Sequence, residues 1–264
     1  MTTQLLIDAD FVLFRDCSAA RREHVWTNQA GHKVHTISAS FDEALENFTQ
    51  SVEGYVKKLF ADEAILVFSG DANFRKEVWP LYKANRAATM KPPCYWGIID
   101  HLRAEGRYRV VSEPCLEGDD YIGILATRPS GVRRVIVSED KDMQTLPDAN
   151  IWRQDKLVET NEESAYHFWR RQTLMGDTTD GYHGCPGIGP VSAEKVLAKP
   201  GDPWENILDA YRKACAKKPE ALTAAGVETP EDLALLNARL ARILRHTDWD
   251  GQARRPILWT PPEA

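Results

Sequence analysis

Apolar residues in the first half of the chain are grouped into short runs, each about as long as one β-strand. The runs are QLLIDA (4–9), AILVFSG (64–70), YRVVSE (108–113) and RRVIVSED (133–140). Their apolar residues are nearly continuous, which is typical of strands covered on both faces. The pattern therefore predicts four buried strands.

Helical periodicity separates these strands. The segment SFDEALENFTQSVEGYVKKLF lies between the first two, and Ser40 and Glu43 have the spacing of a capping box. The segment EGDDYIGILATRPSG lies between the third and fourth, with Pro129 and Gly131 at its end. Strands that alternate with helices indicate an α/β fold with a mostly parallel central sheet flanked by helices.

Beyond the last predicted strand only helical signals remain. The strongest is VETPEDLALLNARLARILRH, which opens with Thr229 and Pro230. We therefore predict an α/β core over residues 1–160 and a helical region over residues 161–264. Residues 18–38 fit neither pattern. Two roles stay open for them and for the C-terminal helices: a wall against a substrate, or a docking surface for another protein.

Composition narrows the class of protein. The 264 residues are 43% hydrophobic and 27% charged, as in ordinary globular proteins. No apolar run approaches the roughly 20 residues of a membrane span, and the N-terminus lacks the basic region of a signal peptide. The five cysteines are scattered without a C-x-x-C pair. We expect a cytoplasmic protein with no disulfide framework and no membrane contact.

Acidic residues follow every predicted strand. They are Asp8 at the first strand, Asp71 at the second, Glu117, Asp119 and Asp120 at the third, and Asp140 and Asp142 at the fourth. The carboxyl ends of parallel strands share one edge, where such folds bind ligands. Clustered carboxylates repel unless cations balance them, and hard oxygen ligands suit Mg²⁺ or Mn²⁺. The sequence thus predicts a metal-binding edge.

Asp177 and Asp180 extend this set. Their helical spacing predicts that both lie on one helix face, so that nine acids are available for two metal sites. Asp10 is predicted to be no ligand, since it alternates with Asp8 along the strand and points to the other side. Taken singly, the acids after the third strand also fit a helix N-terminus.

Without the nine predicted ligands the formal net charge of −6 becomes +3. A nucleic-acid partner is therefore compatible with the composition.

A glycine-rich turn follows these acids. The segment GCPGIGPVSAEKVL has the form of a helix-hairpin-helix motif over about residues 174–199, with its turn at Gly187, Ile188 and Gly189. Backbone N–H groups of such a turn, together with the next helix N-terminus, can hold a phosphate. A dinucleotide-binding loop would follow a strand, and a Walker loop needs Gly-Lys-Ser/Thr. A purely structural helix turn is the remaining alternative.

Five segments, taken in order, resemble one family. They are LLIDAD, FSGDANFRKEVWPLYKANR, LEGDDYIG, VSEDKDMQTL and GDTTDGYHGCPGIGPVSAEKVL. Together they are similar to the 5′-nuclease superfamily of flap endonucleases and 5′→3′ exonucleases, particularly its small bacterial and bacteriophage members. The resemblance implies a metal-dependent, structure-specific nuclease that hydrolyses DNA at 5′ ends or flaps, leaving a 5′ phosphate.

The resemblance also implies a ligand set for two Mg²⁺ or Mn²⁺ ions. The first site would comprise Asp8, Asp71, Glu117, Asp119 and Asp120, while Asp140, Asp142, Asp177 and Asp180 would serve the second site or bridge. The two ions would activate water and stabilise the leaving 3′ oxygen.

Basic and aromatic residues complete the implied site. In this family an arch covers the active site, here over about residues 79–105; whether it is a closed portal or an open groove stays open. Lys83 and Arg86 would face the scissile phosphate, Arg15 would contact the same phosphate, and Tyr82 would stack on an unpaired base.

The turn at Gly187, Ile188 and Gly189 would bind the phosphate backbone of the duplex without contacting base edges, so that binding does not depend on DNA sequence. The resemblance further implies a K⁺ ion held by main-chain carbonyls near Gly187 and Gly189. For Lys195 a phosphate contact and an ordinary surface position both stay open. The implied partner is DNA with a 5′ end, a flap or a single-strand/duplex junction. We expect a monomer, and whether it also binds replication proteins stays open.

Two alternatives stay open. One is a catalytically silent DNA-binding protein of the same fold, which a missing acid would favour. The other is a PIN-type ribonuclease, although that class has fewer acids and no helix-hairpin-helix. The balance of exonuclease, flap endonuclease and RNase H-like activity is likewise not determined by the sequence.

Overall fold

The computed structural model describes residues 2–86 and 90–262, so part of the predicted arch, residues 87–89, lies outside the described residues. The strands are β1 (Thr3–Asp8), β2 (Arg21–Thr27), β3 (Lys33–Ala39), β4 (Glu63–Val67), β5 (Arg109–Val111), β6 (Arg133–Val137), β7 (Asn150–Arg153), β8 (Lys156–Glu159), β9 (Trp249–Asp250) and β10 (Arg255–Pro256). The helices are α1 (Ala9–Ala19), α2 (Phe41–Lys58), α3 (Arg75–Val78), α4 (Tyr95–Glu105), α5 (Gly118–Thr127), α6 (Glu162–Met175), α7 (Pro190–Leu197), α8 (Pro203–Lys217), α9 (Glu220–Ala225) and α10 (Pro230–Leu240).

Six strands form the central sheet in the order β5-β4-β1-β6-β7-β8. All neighbours are parallel except β7 and β8, which form an antiparallel hairpin at one edge. β1 lies in the middle, with Leu6 opposite Ile65 on one side and Ile136 on the other. The predicted α/β fold with a mostly parallel sheet is confirmed.

Both faces of the sheet are buried, which explains the continuous apolar runs. Leu5 and Ile7 of β1 belong to a core shared with α1, α2 and α4, where Phe48 and Ile98 are fully buried. Leu6 points the other way, into a core shared with α5. Successive residues of one strand therefore pack against different helical layers.

The helices after residue 160 have a core of their own, centred on Tyr211, Leu174 and Ile207. They also pack on the sheet domain, because Leu244 shares a cluster with Phe74 and Ile124. Thr229 caps α10 in a reciprocal capping box, as its sequence predicted. In residues 2–86 and 90–262, no helix is both long and apolar enough to traverse a bilayer.

Three regions differ from the sequence prediction. Helix α1 follows β1 without a linker and was not predicted. Residues 18–38, which matched no pattern, contain the exposed hairpin of β2 and β3, whose turn is held by the Asn28 side chain. The strands β7 and β8 were also missed. Their four-residue length is too short for a clear periodicity.

Candidate active site

Three acids from three different elements meet at the carboxyl edge of the sheet. Asp8 ends β1, Asp119 lies in the first turn of α5, and Asp140 follows β6. They line a cavity of about 470 Å³. The cavity is also lined by Asp10, Phe11, Phe14, Ser69, Lys83, Arg86, Lys91, Glu117, Gly118 and Glu139. The carboxyl ends of the parallel strands thus bring together carboxylates that are far apart in sequence.

The field at this edge is strongly negative. Burial, together with the charges of Asp10 and Asp140, raises the pKa of Asp8 to about 6. Burial and the charges of Asp8 and Asp140 raise the pKa of Asp119 well above its usual value. Raised carboxyl pKa values mean that negative charge here is incompletely balanced by the protein. A bound cation would relieve this repulsion.

A second acidic group adjoins the first through Asp140. Burial and the charge of Asp140 raise the pKa of Asp142 to about 6, and Gln172 donates a hydrogen bond of 2.6 Å to its carboxylate. Lys141 Nζ lies 2.8 Å from Asp177 Oδ2 and 3.7 Å from Asp142 Oδ1. A lysine thus occupies the position between these two acids.

One wall of the cavity carries cations paired with acids. Lys83 Nζ lies 2.5 Å from Glu117 Oε1 and 3.8 Å from Asp180 Oδ2. Arg86 Nη2 lies 2.8 Å from Asp180 Oδ1. Burial alone raises the pKa of Glu117, but Lys83 and Arg75 outweigh it and hold that pKa below its usual value. We call this set of Lys83, Arg86, Glu117 and Asp180 the paired wall.

Metal-ligand geometry is not preformed. Among the described residues, no group of three His, Cys, Asp or Glu side chains is arranged so as to hold a metal ion. Lys83 and Lys141 hold carboxylates that would otherwise turn toward a cation. The donors present are nevertheless carboxylate oxygens, which is the chemistry that Mg²⁺ and Mn²⁺ prefer.

Asp120 requires a correction. Its side chain is completely buried and accepts hydrogen bonds of 2.5 and 2.8 Å from Arg75, plus one from the Leu244 backbone N–H. Adjacent residues on a helix point about 100° apart, so Asp119 faces the cavity while Asp120 faces the interior. Asp120 is a structural ion-pair partner, and its prediction as a metal ligand is wrong.

Two further predicted residues do not line the cavity that holds Asp8. Arg15 donates to Asp16, Ser51 and Tyr55 on the outer side of α1, so its predicted phosphate contact is not supported. Asp71 lines neighbouring cavities of about 730 and 430 Å³ rather than the one that holds Asp8. Asp71 shares the first of these cavities with Glu117 and Lys83, and the second with Asp10.

Tyr82 is also corrected. It is 2% exposed, and its hydroxyl donates to Asp180 Oδ2 at 2.8 Å and to Glu117 Oε2 at 3.2 Å. A ring so deeply buried offers no face to an unpaired base. Tyr82 instead orients two carboxylates of the paired wall.

The chain from Asp177 to Tyr182 is a tight turn and not the helix that the spacing predicted. Asp177 and Tyr182 exchange backbone hydrogen bonds of 2.9 and 3.1 Å. The two acids consequently diverge: Asp177 contacts Lys141, and Asp180 contacts Arg86 of the paired wall. They do not share one face.

Asp10 was predicted to point to the other side of the strand from Asp8, and this orientation is wrong, because Asp10 lines the same cavity as Asp8. Asp10 belongs to α1, so the two-residue alternation of a strand does not apply to it. Its carboxylate accepts from the Ser69 backbone N–H at 2.7 Å and from the Tyr95 hydroxyl. The spacing of Val12, Leu13 and Cys17 was the available signal for this helix.

The glycine-rich segment forms a compact link between α6 and α7. Gly187 is exposed at φ +79°, and the N–H of Ile188 donates to Cys185 at 3.0 Å. A Cβ on Gly184 would lie 2.3 Å from the backbone N of Gly176, so only glycine permits this crossing. Gly189 caps α7 through its backbone alone.

The side chains of Ile188 and Lys195 differ in their exposure to solvent. Ile188 is partly buried against the core of the helical region. Lys195 is exposed on α7.

Three comparisons bear on this site. A family model described as "5'-3' exonuclease, N-terminal resolvase-like domain" matches residues 3–171. The chain is 32% identical to the exodeoxyribonuclease of Enterobacteria phage T3 over 97% of its length and 92% of the relative. It is 32% identical to the exonuclease of Escherichia phage T7, over 97% and 93%. The T5 D15 protein, co-crystallised with metal ions, has a similar fold: TM-score 0.63, 17% identity, 91% of this chain and 89% of that one.

Proposed function

The chain belongs to the 5′–3′ exonuclease family, and from this premise we propose that it is a divalent-metal-dependent 5′ nuclease acting on DNA. One observation carries the proposal: Asp8, Asp119 and Asp140 meet in one cavity at the carboxyl edge of the sheet. The names of the T3 and T7 relatives, an exodeoxyribonuclease and an exonuclease, support the reaction class. The expected substrates are 5′ ends, flaps and single-strand/duplex junctions.

In this proposal the acids would provide two adjacent places for Mg²⁺ or Mn²⁺. Asp8, Asp119 and Asp140 would hold one ion; Asp142 and Asp177 would hold a second, with Asp140 between them. Divalent ions bound there supply Lewis acidity to the phosphoryl oxygens and make water more acidic. Lys141 must leave Asp177 for the second place to form, since its Nζ lies 2.8 Å from that carboxylate.

The paired wall presents cations to the scissile phosphate. Glu117 and Asp180 hold Lys83 and Arg86 at the cavity, where both side chains line it. The cations exchange these carboxylates for phosphate oxygens when DNA enters. Positive charge positioned in advance stabilises the additional negative charge of the transition state.

The duplex is bound on the side of the α6–α7 link. Exposed backbone at Gly187 and the N-terminus of α7 fit a phosphate, which is recognition without base reading. Main-chain carbonyls near Gly187 and Gly189 are the proposed K⁺ ligands. In this proposal residues 1–160 carry out the cleavage chemistry, and residues 161–264 bind the duplex.

Cleavage of a 5′-flap duplex labelled at either end tests the function. With Mg²⁺ and excess enzyme, short products should be released from the 5′ side, and EDTA should stop the reaction. The product lengths separate exonuclease from flap endonuclease activity. Tight DNA binding without cleavage in Mg²⁺ or Mn²⁺ would instead identify a silent DNA-binding protein.

Lys83→Ala is expected to lower the single-turnover rate by about 100-fold and DNA affinity by less than about threefold, because Lys83 acts on transition-state charge. Rate and affinity are measured separately, with excess enzyme and by anisotropy in Ca²⁺. Lys57→Ala, an exposed lysine of α2, is the matched control. An unchanged rate for Lys83→Ala would remove Lys83 from the mechanism.

Lys195→Ala is expected to weaken duplex binding equally for all sequences and to reduce the slope of log K against log salt by about 1. The physical reason is the loss of one phosphate contact on α7. Anisotropy over a KCl series measures the slope, with Lys156→Ala on exposed β8 as control. Equal slopes for the wild type and Lys195→Ala would assign Lys195 to ordinary surface.

A further inference from the structure

A cavity of about 330 Å³ lies at the amino end of β6. Its walls are the connection from α5 to β6, part of β6 itself, and the segment that leads into β7. Asp140 follows the other end of β6, which is five residues long at about 3.3 Å per residue. This cavity and the one that holds Asp8 therefore lie at opposite ends of the same strand.

Positive charge dominates the lining of this cavity. Arg128, Arg133 and Arg134 line it, and the one acid among its lining residues is Asp148, so three positive charges face one negative charge. In residues 2–86 and 90–262, no carboxylate forms an ion pair with any of the three arginines. We call this space the arginine cavity. Its charge is not balanced by the described residues.

Arg134 is held in place by uncharged acceptors. Its Nη1 donates to the carbonyls of Leu125 and Arg128, both at 2.6 Å, and its Nε donates to Gln4 Oε1 at 3.4 Å. A guanidinium has five N–H donors, so these three bonds leave the two donors of Nη2 for another acceptor. Burial, together with the charge of Arg128, lowers the pKa of Arg134. An anion in the cavity would offset both effects.

The charge and size of the cavity indicate the class of anion. Guanidinium groups bind phosphate oxygens through paired hydrogen bonds. A phosphate monoester carries a charge of about −1.5 to −2 at pH 7, whereas each phosphodiester of DNA carries one negative charge. Three arginines against one aspartate match the monoester more closely. The volume is near the lower end of the roughly 300–1,000 Å³ of small-molecule sites, so it suits a small ligand.

We propose that the arginine cavity binds a dianionic phosphoryl group, carried either by inorganic phosphate or by a mononucleotide. Arg134 donates to it through Nη2, and Arg128 and Arg133 supply the remaining positive charge. This site is separate from the proposed nuclease centre and requires no divalent ion.

Calorimetric titration in EDTA at low ionic strength tests this site, with inorganic phosphate, thymidine 5′-monophosphate and thymidine as the probes. The first two should bind, and thymidine, which has no phosphate, should not. Thymidylyl-thymidine has a phosphodiester but no terminal phosphate, and it should bind at least about tenfold more weakly than the monophosphate. Tighter binding of the monophosphate than of inorganic phosphate would identify the nucleotide as the ligand, and equal affinity would identify phosphate alone.

The double variant Arg128→Met with Arg133→Met should weaken binding of phosphate at least about tenfold, because two of the three charges are lost. Arg21→Met with Arg22→Met removes the same charge from the exposed hairpin of β2 and β3, and it should change the affinity less than about twofold. Lys83→Ala should bind phosphate as the wild type does, which would exclude the paired wall as the place of binding. Arg128→Glu, at an exposed residue, is the second variant if the double variant does not fold.

A wild type that binds neither inorganic phosphate nor the monophosphate would overturn the proposal. Equal affinity of the wild type and the double variant would also overturn it, since binding would then occur elsewhere. Thymidylyl-thymidine bound as tightly as the monophosphate would contradict the preference for a dianion. Because no cleavage is measured, these outcomes are independent of the proposed nuclease function.

Discussion

Asp119→Asn is expected to lower the cleavage rate by about 1000-fold or more and at the same time to raise the thermal stability of the metal-free protein. Both effects have one cause, which is the partly buried carboxylate of Asp119 beside the charges of Asp8 and Asp140. Removing it takes away a ligand for the divalent ion, which contributes several kcal/mol to such reactions. It also removes like-charge repulsion. An isosteric change that stabilises and inactivates indicates a functional site.

The sign of the stability effect follows from the raised pKa of Asp119. A carboxyl whose pKa is higher in the folded than in the unfolded protein destabilises the fold above that folded pKa and has no effect below the unfolded one. The increase in Tm should therefore appear in EDTA at high pH and disappear in acid. A gain of about 1 kcal/mol corresponds to about 2–4 °C.

Single-turnover cleavage in Mg²⁺, anisotropy in Ca²⁺ and melting in EDTA check these expectations. Affinity for DNA should stay within a few-fold of the wild type. Asp148→Asn makes the same chemical change at an exposed residue just before β7, at the opposite end of the sheet, and should leave rate and Tm unchanged. Retained cleavage by Asp119→Asn would exclude Asp119 from the site.

Arg75→Met is expected to lower the free energy of unfolding by about 3–5 kcal/mol, because it leaves the buried Asp120 carboxylate without its cation. Arg75 is 3% exposed and Asp120 is completely buried. The Arg75 guanidinium also donates to the carbonyls of Leu240 and Arg242 at 3.1 and 2.5 Å. This one side chain thus joins α3, α5 and the segment after α10.

Urea unfolding measures this effect. The double variant Arg75→Met with Asp120→Leu should recover much of the loss, because an apolar pair removes the isolated charge. Arg103→Met, at an exposed arginine with a 4.0 Å contact to Asp100, should cost less than about 1 kcal/mol. A similarly small cost for Arg75→Met would show that the buried pair contributes little to stability.

The sequence predicted four of the six strands of the sheet and the position of Asp8, Asp119 and Asp140 at its carboxyl edge. Continuous apolar runs mark buried parallel strands, and the acids come where each run ends. It could not distinguish Asp119 from Asp120. Both lie in the same four-residue segment, and which one faces the cavity depends on how α5 rotates against Arg75, 45 residues away in the chain.

The errors at Asp10 and Asp180 have a related origin. Both predictions extended one periodicity past the end of an element: strand alternation beyond Asp8, and helical spacing beyond Met175. Lys91, which lines the cavity, was missed because nothing local marks it. Its position depends on Tyr95 of α4 and Phe14 of α1, which tertiary packing brings together.

Anomalous scattering from crystals soaked in Mn²⁺ tests the central claim most directly, since it locates the ion without relying on activity. We expect a peak within coordination distance of Asp8, Asp119 and Asp140, with a second peak toward Asp142 and Asp177. The first peak should be absent in Asp119→Asn. Wild-type crystals without a peak in this cavity, from protein that cleaves DNA at the same Mn²⁺ concentration, would contradict the account.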